Sequence, residues 1–169
     1  EIRETCLLLG DFAEHSIGGQ AAREVTKEEM VALLERADEV GMVLQPQNTQ
    51  EPNFICCCCG CCCGVLLGIT KYGIDESVAY ANYYAEIDQD TCVGCGICIE
   101  RCQVDAIAEQ DRVSVVDREH CIGCGLCVTG CPNGAAQLHR KPEDQIVHPP
   151  KNFAAWEQER LVNRGLQSR

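Results

Sequence analysis

The chain has 169 residues, of which 16 are cysteine and 5% are aromatic, and its formal net charge is −12. This length allows one ordinary domain or two small ones, and the scarcity of aromatic side chains argues against a large conventional core. The acidic charge argues against nucleic acid as a partner, because the phosphates would be repelled. So many cysteines indicate either a disulfide scaffold or thiolate ligation of metal, and their spacing has to decide between the two.

The first zone, residues 1–84, has mainly helical patterning. We expect one helix over about residues 5–15. A second helix is predicted from Thr26, because Glu29 follows three residues later as in a capping box. Apolar residues then recur at three- and four-residue spacing until Gly41, which fits a helix end.

A cysteine-rich tract, residues 56–63, follows a polar loop and reads CCCCGCCC. It lies within the longest uncharged run of the chain, residues 52–70, which is close to the length of a membrane span. Cysteine and glycine dominate the first part of this run, and bulky apolar side chains are few. We therefore expect no membrane span.

The second zone, residues 85–140, contains an internal repeat. The segment CVGCGICIERC aligns with CIGCGLCVTGC at an offset of 29 residues, so that each copy has the spacing C-x2-C-x2-C-x3-C. A duplicated unit of this kind predicts pseudo-two-fold symmetry. Short alternating stretches predict four strands, at residues 85–87, 106–108, 113–116 and 136–138.

The third zone, residues 141–169, begins with prolines and charged residues, which favour an extended arm over a further domain. The segment NFAAWEQERLVNRG predicts one terminal helix. We interpret Trp156 in this helix as an anchor that packs the arm on the body or on a partner.

The repeated cysteine motif carries the clearest chemical signal. Its first three cysteines lie on one tight loop, and the small glycines between them let the backbone wrap a metal cluster. Zinc sites normally use C-x2-C pairs separated by a longer loop, so two complete runs in tandem argue against zinc. Such regular runs also lack the spacing for disulfide bridges between separate elements.

At these residues the chain resembles the bacterial-type ferredoxins that carry two [4Fe-4S] clusters. The resemblance implies an α+β ferredoxin-like dicluster domain over residues 85–140, in which the fourth cysteine of each run opens a short helix and ligates the cluster of the other run. Cluster one would take Cys92, Cys95, Cys98 and Cys131, and cluster two would take Cys102, Cys121, Cys124 and Cys127. One position departs from the family: Pro132 follows Cys131 as usual, but Gln103 follows Cys102.

This resemblance implies a function, because a cluster with four cysteine ligands leaves no iron open to substrate. We expect an electron-transfer protein or subunit that relays low-potential electrons to or from an oxidoreductase complex, with no catalytic site of its own. The expected partner is a redox protein, and the expected compartment is a reducing cytoplasm.

The spacing of cysteines in the cysteine-rich tract does not identify one kind of site as the repeated motif does. Joined to the dicluster motif, it resembles larger ferredoxin-like proteins from anaerobes that have an added cysteine-rich helical region. We expect a third iron–sulfur cluster or other metal there, because Cys56, Cys59 and Cys62 repeat the C-x2-C-x2-C spacing. Cys6, the only other cysteine outside the repeats, completes the set in this prediction, although adjacent thiols also allow other choices, such as Cys58 with Cys61. The alternatives are inert packing, a dithiol or sulfur-handling site that would make the protein a redox enzyme, and a cluster-based redox sensor.

Overall fold

A computed structural model describes residues 5–79 and 81–165. The first zone contains strand β1 (Cys6–Leu8), helices α1 (Gly10–Gly18) and α2 (Lys27–Glu39), strands β2 (Val43–Pro46) and β3 (Phe54–Cys58), and helix α3 (Gly64–Tyr72). The second zone contains β4 (Tyr83–Ile87), α4 (Ile97–Arg101), β5 (Ile107–Gln110), β6 (Val113–Val116), α5 (Leu126–Thr129) and β7 (Ala136–Arg140). Helix α6 (Phe153–Asn163) belongs to the third zone.

The N-terminal zone is less helical than the sequence predicts. Its three strands form an antiparallel sheet in the order β1-β3-β2, and the tract enters this sheet as the central strand. The helix expected over residues 5–15 is therefore wrong in its first half, where the chain is strand β1 and α1 begins only at Gly10. The edge strands need a partner for their backbone groups, and pairing with β3 supplies it.

Helix α2 agrees with its prediction. The Thr26 side chain accepts a hydrogen bond from the Glu29 amide, and the Glu29 carboxylate accepts one from the Thr26 amide at 2.8 Å. This reciprocal capping box satisfies two backbone donors that a helix start leaves without partners. Ala37 is the buried residue of the helix.

The second zone is built from two small antiparallel pairs and two short helices. Strand β4 pairs with β7, and β5 pairs with β6. All four strands overlap the four predicted stretches, because alternating apolar residues there fit half-buried strands. Together with the helices and the single sheet of the first zone, this makes a mixed helix-and-strand fold built on small sheets.

Among the residues that the structure describes, two apolar clusters form the core. The first lies inside the second zone and includes Ile87, Cys98 and Cys127. The second joins the two zones, because Leu66 and Ile69 of α3 pack with Val104 and Leu126. Leu66 is fully buried. Helix α3 is thereby fixed against the repeated motif.

Arg101 also joins the zones. Its guanidinium donates hydrogen bonds to the carbonyl oxygens of Asp38 at 2.8 Å and Glu39 at 3.2 Å, where α2 ends, and to the Leu126 carbonyl at 2.8 Å. An ion pair with the Asp38 carboxylate at 3.6 Å adds to this contact. A cation at a helix C-terminus also faces the negative end of the helix dipole.

The C-terminal arm runs back to the loop before the tract. The amides of Gln50 and Glu51 donate to the carbonyl oxygens of Pro150 and Lys151. In α6 the ring of Trp156 stacks on Phe153, with centroids 5.4 Å apart. Within the described residues, no helix has the length and apolar composition that crossing a membrane requires.

Candidate metal centres

The two motif loops need glycine at matching positions. Gly94 and Gly123 have φ values of +67° and +64°, in the left-handed region where side chains are strained. A Cβ atom at Gly94 would overlap the Arg112 carbonyl oxygen, and one at Gly123 would overlap that of Tyr83. Only glycine therefore lets the first loop lie against the turn between β5 and β6, and the second loop against strand β4.

Four cysteines line one cavity in the second zone: Cys92, Cys95, Cys98 and Cys131. Three of them come from the first motif and one from the second. The remaining wall is made by Val93, Ile97, Ser114, Pro132, Asn133 and Ala135. The fold thus brings together the four residues that the sequence groups as cluster one.

The other four motif cysteines influence one another electrostatically. Burial raises the pKa of the Cys127 thiol to about 12, and the neighbouring thiols of Cys124, Cys121 and Cys102 add to this effect. Burial also raises the pKa of Cys102, although the amides of Val104 and Ala106 oppose it. These are the residues that the sequence groups as cluster two. Such thiols resist ionisation unless a cation compensates their charge, and metal binding supplies that compensation.

Backbone amides point at several of the motif sulfurs. The Ala106 amide donates to Cys102 Sγ at 3.2 Å, and the Ala136 amide donates to Cys131 Sγ at 3.5 Å. The hydrogen bonds to Cys131, led by that of Ala136, outweigh burial and lower the pKa of its thiol. Donors placed around thiolates stabilise their charge and tune a bound cluster.

The spacing of the sulfurs fits a group larger than a single ion. Tetrahedral zinc with Zn–S bonds near 2.3 Å requires sulfurs about 3.8 Å apart. Among the residues that the structure describes, no three motif cysteines bring their sulfurs within 4.8 Å of one another. Cysteines set around a cavity at wider separation fit a cluster instead.

A comparison with known families agrees with this geometry. Residues 85–138 match the model of the family described as "4Fe-4S dicluster domain". This part of the chain is a 4Fe-4S ferredoxin-type domain. It binds two [4Fe-4S] clusters, and the eight motif cysteines all lie within it. A search of curated proteins gives no match.

The position of the fourth cysteine in the dicluster domain differs from the prediction. Cys102 is the C-cap of α4, and Cys131 follows the end of α5, so neither cysteine opens a helix. The helices begin instead just after Gly96 and Gly125 and carry the third cysteine of each motif. The left-handed conformation of these two glycines starts each helix earlier than the sequence suggests.

The tract cysteines and Cys6 separate into groups. Cys6 pairs with Cys56 across strands β1 and β3. In the turn after β3, the sulfurs of Cys59, Cys61 and Cys62 lie within 4.8 Å of one another. Cys59 forms a disulfide with Cys61, and its sulfur lies 3.6 Å from that of Cys62.

A further pair, Cys58 and Cys63, was not singled out by sequence reasoning. Burial raises the pKa of Cys58 to about 12, and a hydrogen bond with Cys63 contributes. Burial alone would raise the pKa of Cys63, but the amides of Leu66 and Val65 lead a set of hydrogen bonds that lowers it. The sequence does contain a signal for Cys63. An apolar helical run begins at Gly64, and this places Cys63 at the start of a helix.

Gln103, where the chain departs from the family pattern, contacts the tract. Its side-chain oxygen accepts a hydrogen bond from the Gly60 amide at 2.6 Å. A Cβ atom on Gly60 would lie 2.9 Å from the Gln103 carbonyl oxygen, closer than side chains approach backbone. The only glycine within the tract therefore lets its turn lie on the residue that follows Cys102.

Proposed function

We propose that the chain is an electron-transfer protein or subunit that relays low-potential electrons to or from an oxidoreductase complex. The dicluster domain supports this proposal, because each [4Fe-4S] cluster carries one electron at low potential. The observation that carries it is the cavity shared by Cys92, Cys95, Cys98 and Cys131. With four thiolates on each cluster, the chain holds every iron and leaves none for substrate.

The assignment of ligands is part of the proposal. Cluster one takes Cys92, Cys95, Cys98 and Cys131, and cluster two takes Cys102, Cys121, Cys124 and Cys127. Support comes from the shared cavity and from the electrostatic contacts among the second four thiols. The 29-residue offset and the matched pairs of glycines favour a pseudo-two-fold relation between the halves.

The surface of the domain suits contact with a redox partner. Cys95 and Cys124 are exposed, and Val93 beside Cys95 is 67% exposed. Electrons would enter or leave at these loops, where little protein separates a cluster from its partner. The net charge of −12 would steer the chain toward a basic patch. A reducing, anaerobic cytoplasm is the compartment that we propose, because the free thiols would persist there.

The test uses the whole chain with its clusters, reduced anaerobically by a one-electron donor and mixed with a one-electron acceptor protein. We expect rapid transfer that slows at high salt. Cys95→Ser should perturb one cluster and slow transfer at least several-fold, whereas Cys6→Ser, at an exposed cysteine outside the domain, should not. Full-rate transfer with both Cys95→Ser and Cys124→Ser would contradict the relay.

A second candidate function is sulfur or metal handling at the tract. The grouping of Cys59, Cys61 and Cys62 favours it, because three converging sulfurs can hold a metal ion once the disulfide between Cys59 and Cys61 is reduced. A third centre that also used Cys6 and Cys56 would need these two cysteines to approach the turn. Iron, sulfide and zinc are to be counted in the chain and in the triple serine variant of Cys59, Cys61 and Cys62. Equal counts of about eight irons and no zinc would contradict a third centre.

A further inference from the structure

The cavity of cluster one has a wall that faces solvent. Beside its four cysteines, this cavity is lined by the exposed residues Val93, Ile97, Pro132 and Asn133, which we call the open wall. Val93 is 67% exposed and Ile97 is 37% exposed. Two large apolar side chains are thus exposed together at one cluster site, where they can contact another molecule.

The internal repeat allows the open wall to be compared with its counterpart at cluster two. At the 29-residue offset, Val93 corresponds to Ile122, Ile97 to Leu126, Pro132 to Gln103, and Asn133 to Val104. Leu126 and Val104 are only 3% and 5% exposed, and Ile122 and Gln103 are half-buried. The two halves therefore share a motif but differ in how far solvent reaches these positions.

The N-terminal zone covers the counterparts of the open wall. Leu126 and Val104 pack with Leu66 and Ile69 of helix α3 in one apolar cluster. The side chain of Gln103 accepts a hydrogen bond from the turn of the tract. The chain itself thus supplies an apolar helix face and a hydrogen-bonded turn as a cover at the second site.

We propose that the open wall is the docking surface for the redox partner, and that the N-terminal zone closes the second cluster site to such partners. The inference rests on the proposed electron-transfer function and assigns the partner to one of the two clusters. Electrons pass between chain and partner at cluster one, and cluster two exchanges electrons with cluster one inside the domain. Each event moves one electron from the reduced cluster to the oxidised partner, and no bond is made or broken.

The surroundings of the open wall favour a partner with a basic rim around an apolar centre. The first motif loop lies on the β5–β6 turn, because a Cβ atom at Gly94 would overlap the Arg112 carbonyl oxygen. Three exposed carboxylates, those of Asp90, Glu109 and Asp111, lie on the segment before the motif, on β5 and in this turn. Only the guanidinium of Arg112 opposes them in that turn. Opposite charges around an apolar centre speed association and fix the orientation of the two proteins.

A second copy of the chain is the competing occupant of the open wall. Its own open wall has the same acidic surroundings, and each chain carries a net charge of −12. Like charges brought together in an interface oppose association. A basic redox protein meets no such repulsion.

The test uses the whole chain with both clusters, reduced anaerobically and mixed in a stopped-flow instrument with a basic c-type cytochrome as one-electron acceptor. Val93→Lys places a charge of the partner's sign in the open wall, so the second-order rate constant should fall on the order of tenfold. Leu138→Lys is the matched control, because Leu138 is 40% exposed and lies beside Gly125 of the second motif. Its rate constant should change less than about twofold.

Two further measurements accompany these rates. A small neutral acceptor, which needs no docking surface, should oxidise the parent chain and both variants equally fast. Iron counts of about eight would show that each variant keeps its clusters. Equal rates for the parent chain and Val93→Lys, or equal slowing by Leu138→Lys, would overturn the docking surface and leave the relay intact. A parent chain that gave the cytochrome no electrons would instead disprove the relay. Light scattering that showed a parent dimer, dissociated by Val93→Lys, would identify a second copy as the occupant and overturn the proposal.

The closure of the second site has a readout that involves no electron transfer. A soluble gadolinium chelate speeds the electron-spin relaxation of a reduced cluster that it can approach. The signals are assigned with Cys95→Ser and Cys124→Ser, each of which alters one cluster. We expect the stronger effect on the cluster that Cys95→Ser alters. Equal effects on both clusters would show that the N-terminal zone does not close the second site and would overturn the inference.

Discussion

The dicluster domain and the tract are both rich in cysteine, but they arrange it differently. In the domain, glycines and intervening residues separate the sulfurs, and Cys92, Cys95 and Cys98 face one cavity. In the tract, Cys56, Cys57 and Cys58 follow one another on β3, so their side chains alternate between the two faces of the sheet. Cys57 is accordingly buried, while Cys56 and Cys58 on its two sides are half-buried.

This difference teaches that spacing, more than number, decides what cysteines can bind. Regular gaps place the motif sulfurs around a common space that can hold a cluster. The tract instead yields small groups with separate neighbours: Cys6 lies opposite Cys56, and Cys59, Cys61 and Cys62 form the group in the turn. We expect cluster binding in the first arrangement and thiol chemistry in the second.

The largest expected effect tests the ligand sets of the domain. Cys131→Ala should remove about four of about eight irons, because one cluster loses a ligand. If the ligand sets are crossed, adding Cys95→Ala to Cys131→Ala should remove little more iron, because both substitutions remove ligands of the same cluster. Adding Cys124→Ala to Cys131→Ala instead should remove nearly all iron, because each cluster then lacks one ligand. Iron and sulfide counts on these three variants decide the assignment.

The reverse pattern would disprove crossing. If Cys131→Ala with Cys124→Ala lost only about four irons, each motif would hold its own cluster. The variant Cys6→Ala controls for a general effect of losing a thiol, because Cys6 is exposed and lies outside the domain. Its iron count should stay near that of the parent chain.

The second prediction concerns the core shared by the two regions. Leu66→Ala should lower the free energy of unfolding by about 2–5 kcal/mol, because Leu66 is fully buried in the cluster that joins α3 to the domain. Val65→Ala is the control, since Val65 is 39% exposed. Circular dichroism and iron release are followed together in an anaerobic urea titration. If the regions share one core, the two signals should shift together.

Iron release that stayed unchanged in Leu66→Ala would contradict this coupling. It would mean that the tract region unfolds by itself and leaves the clusters in place. The tract region and the dicluster domain would then be independent folding units.

The third prediction tests the contact between Arg101 and the end of α2. Arg101→Ala should cost about 2 kcal/mol, because charged hydrogen bonds to three carbonyl groups are lost and the side chain is only 16% exposed. Arg101→Lys keeps the charge but not the fork of donors, so it should restore only part of this. The expected readout is faster amide exchange in α2 with little change in β4 and β7.

Arg36→Ala is the matched control for Arg101. Arg36 pairs with Glu39 at 3.0 Å, but both side chains are more than 60% exposed. Exposed pairs contribute at most about 1 kcal/mol, so exchange in α2 should hardly change. Equal effects of Arg36→Ala and Arg101→Ala would count against a specific contact between the regions.

The features that the sequence predicts well are local. The capping box of α2 depends on residues three apart, and the cysteine motifs depend on short spacings and glycine turns. The four strands of the domain follow from alternation over a few residues. These features were predictable because their physical causes lie within a single turn or strand.

The features that the sequence does not predict are contacts between distant residues. Strand β1 forms because Cys6 lies opposite Cys56, and helical patterning around residues 5–15 gives no sign of that partner. The sequence shows that Gln103 follows Cys102. Its contact with Gly60 could not be predicted, because that contact requires the tract to fold over the domain.

The smallest expected effect concerns that contact. Gln103→Ala removes the acceptor of the Gly60 amide, which is partly buried, and should cost about 1 kcal/mol. Gln103→Glu keeps an oxygen at the same place and should hold the turn at least as well, because a carboxylate is the stronger acceptor. Amide exchange at Gly60 should therefore accelerate in the alanine variant and not in the glutamate variant. Gln103→Pro, which restores the residue usual in the family, also lacks the acceptor and should behave like alanine at Gly60. If exchange at Gly60 were the same in all three variants and in the parent chain, the turn would be held by α3 and β3 alone. Gln103 would then have no part in placing the tract beside Cys102.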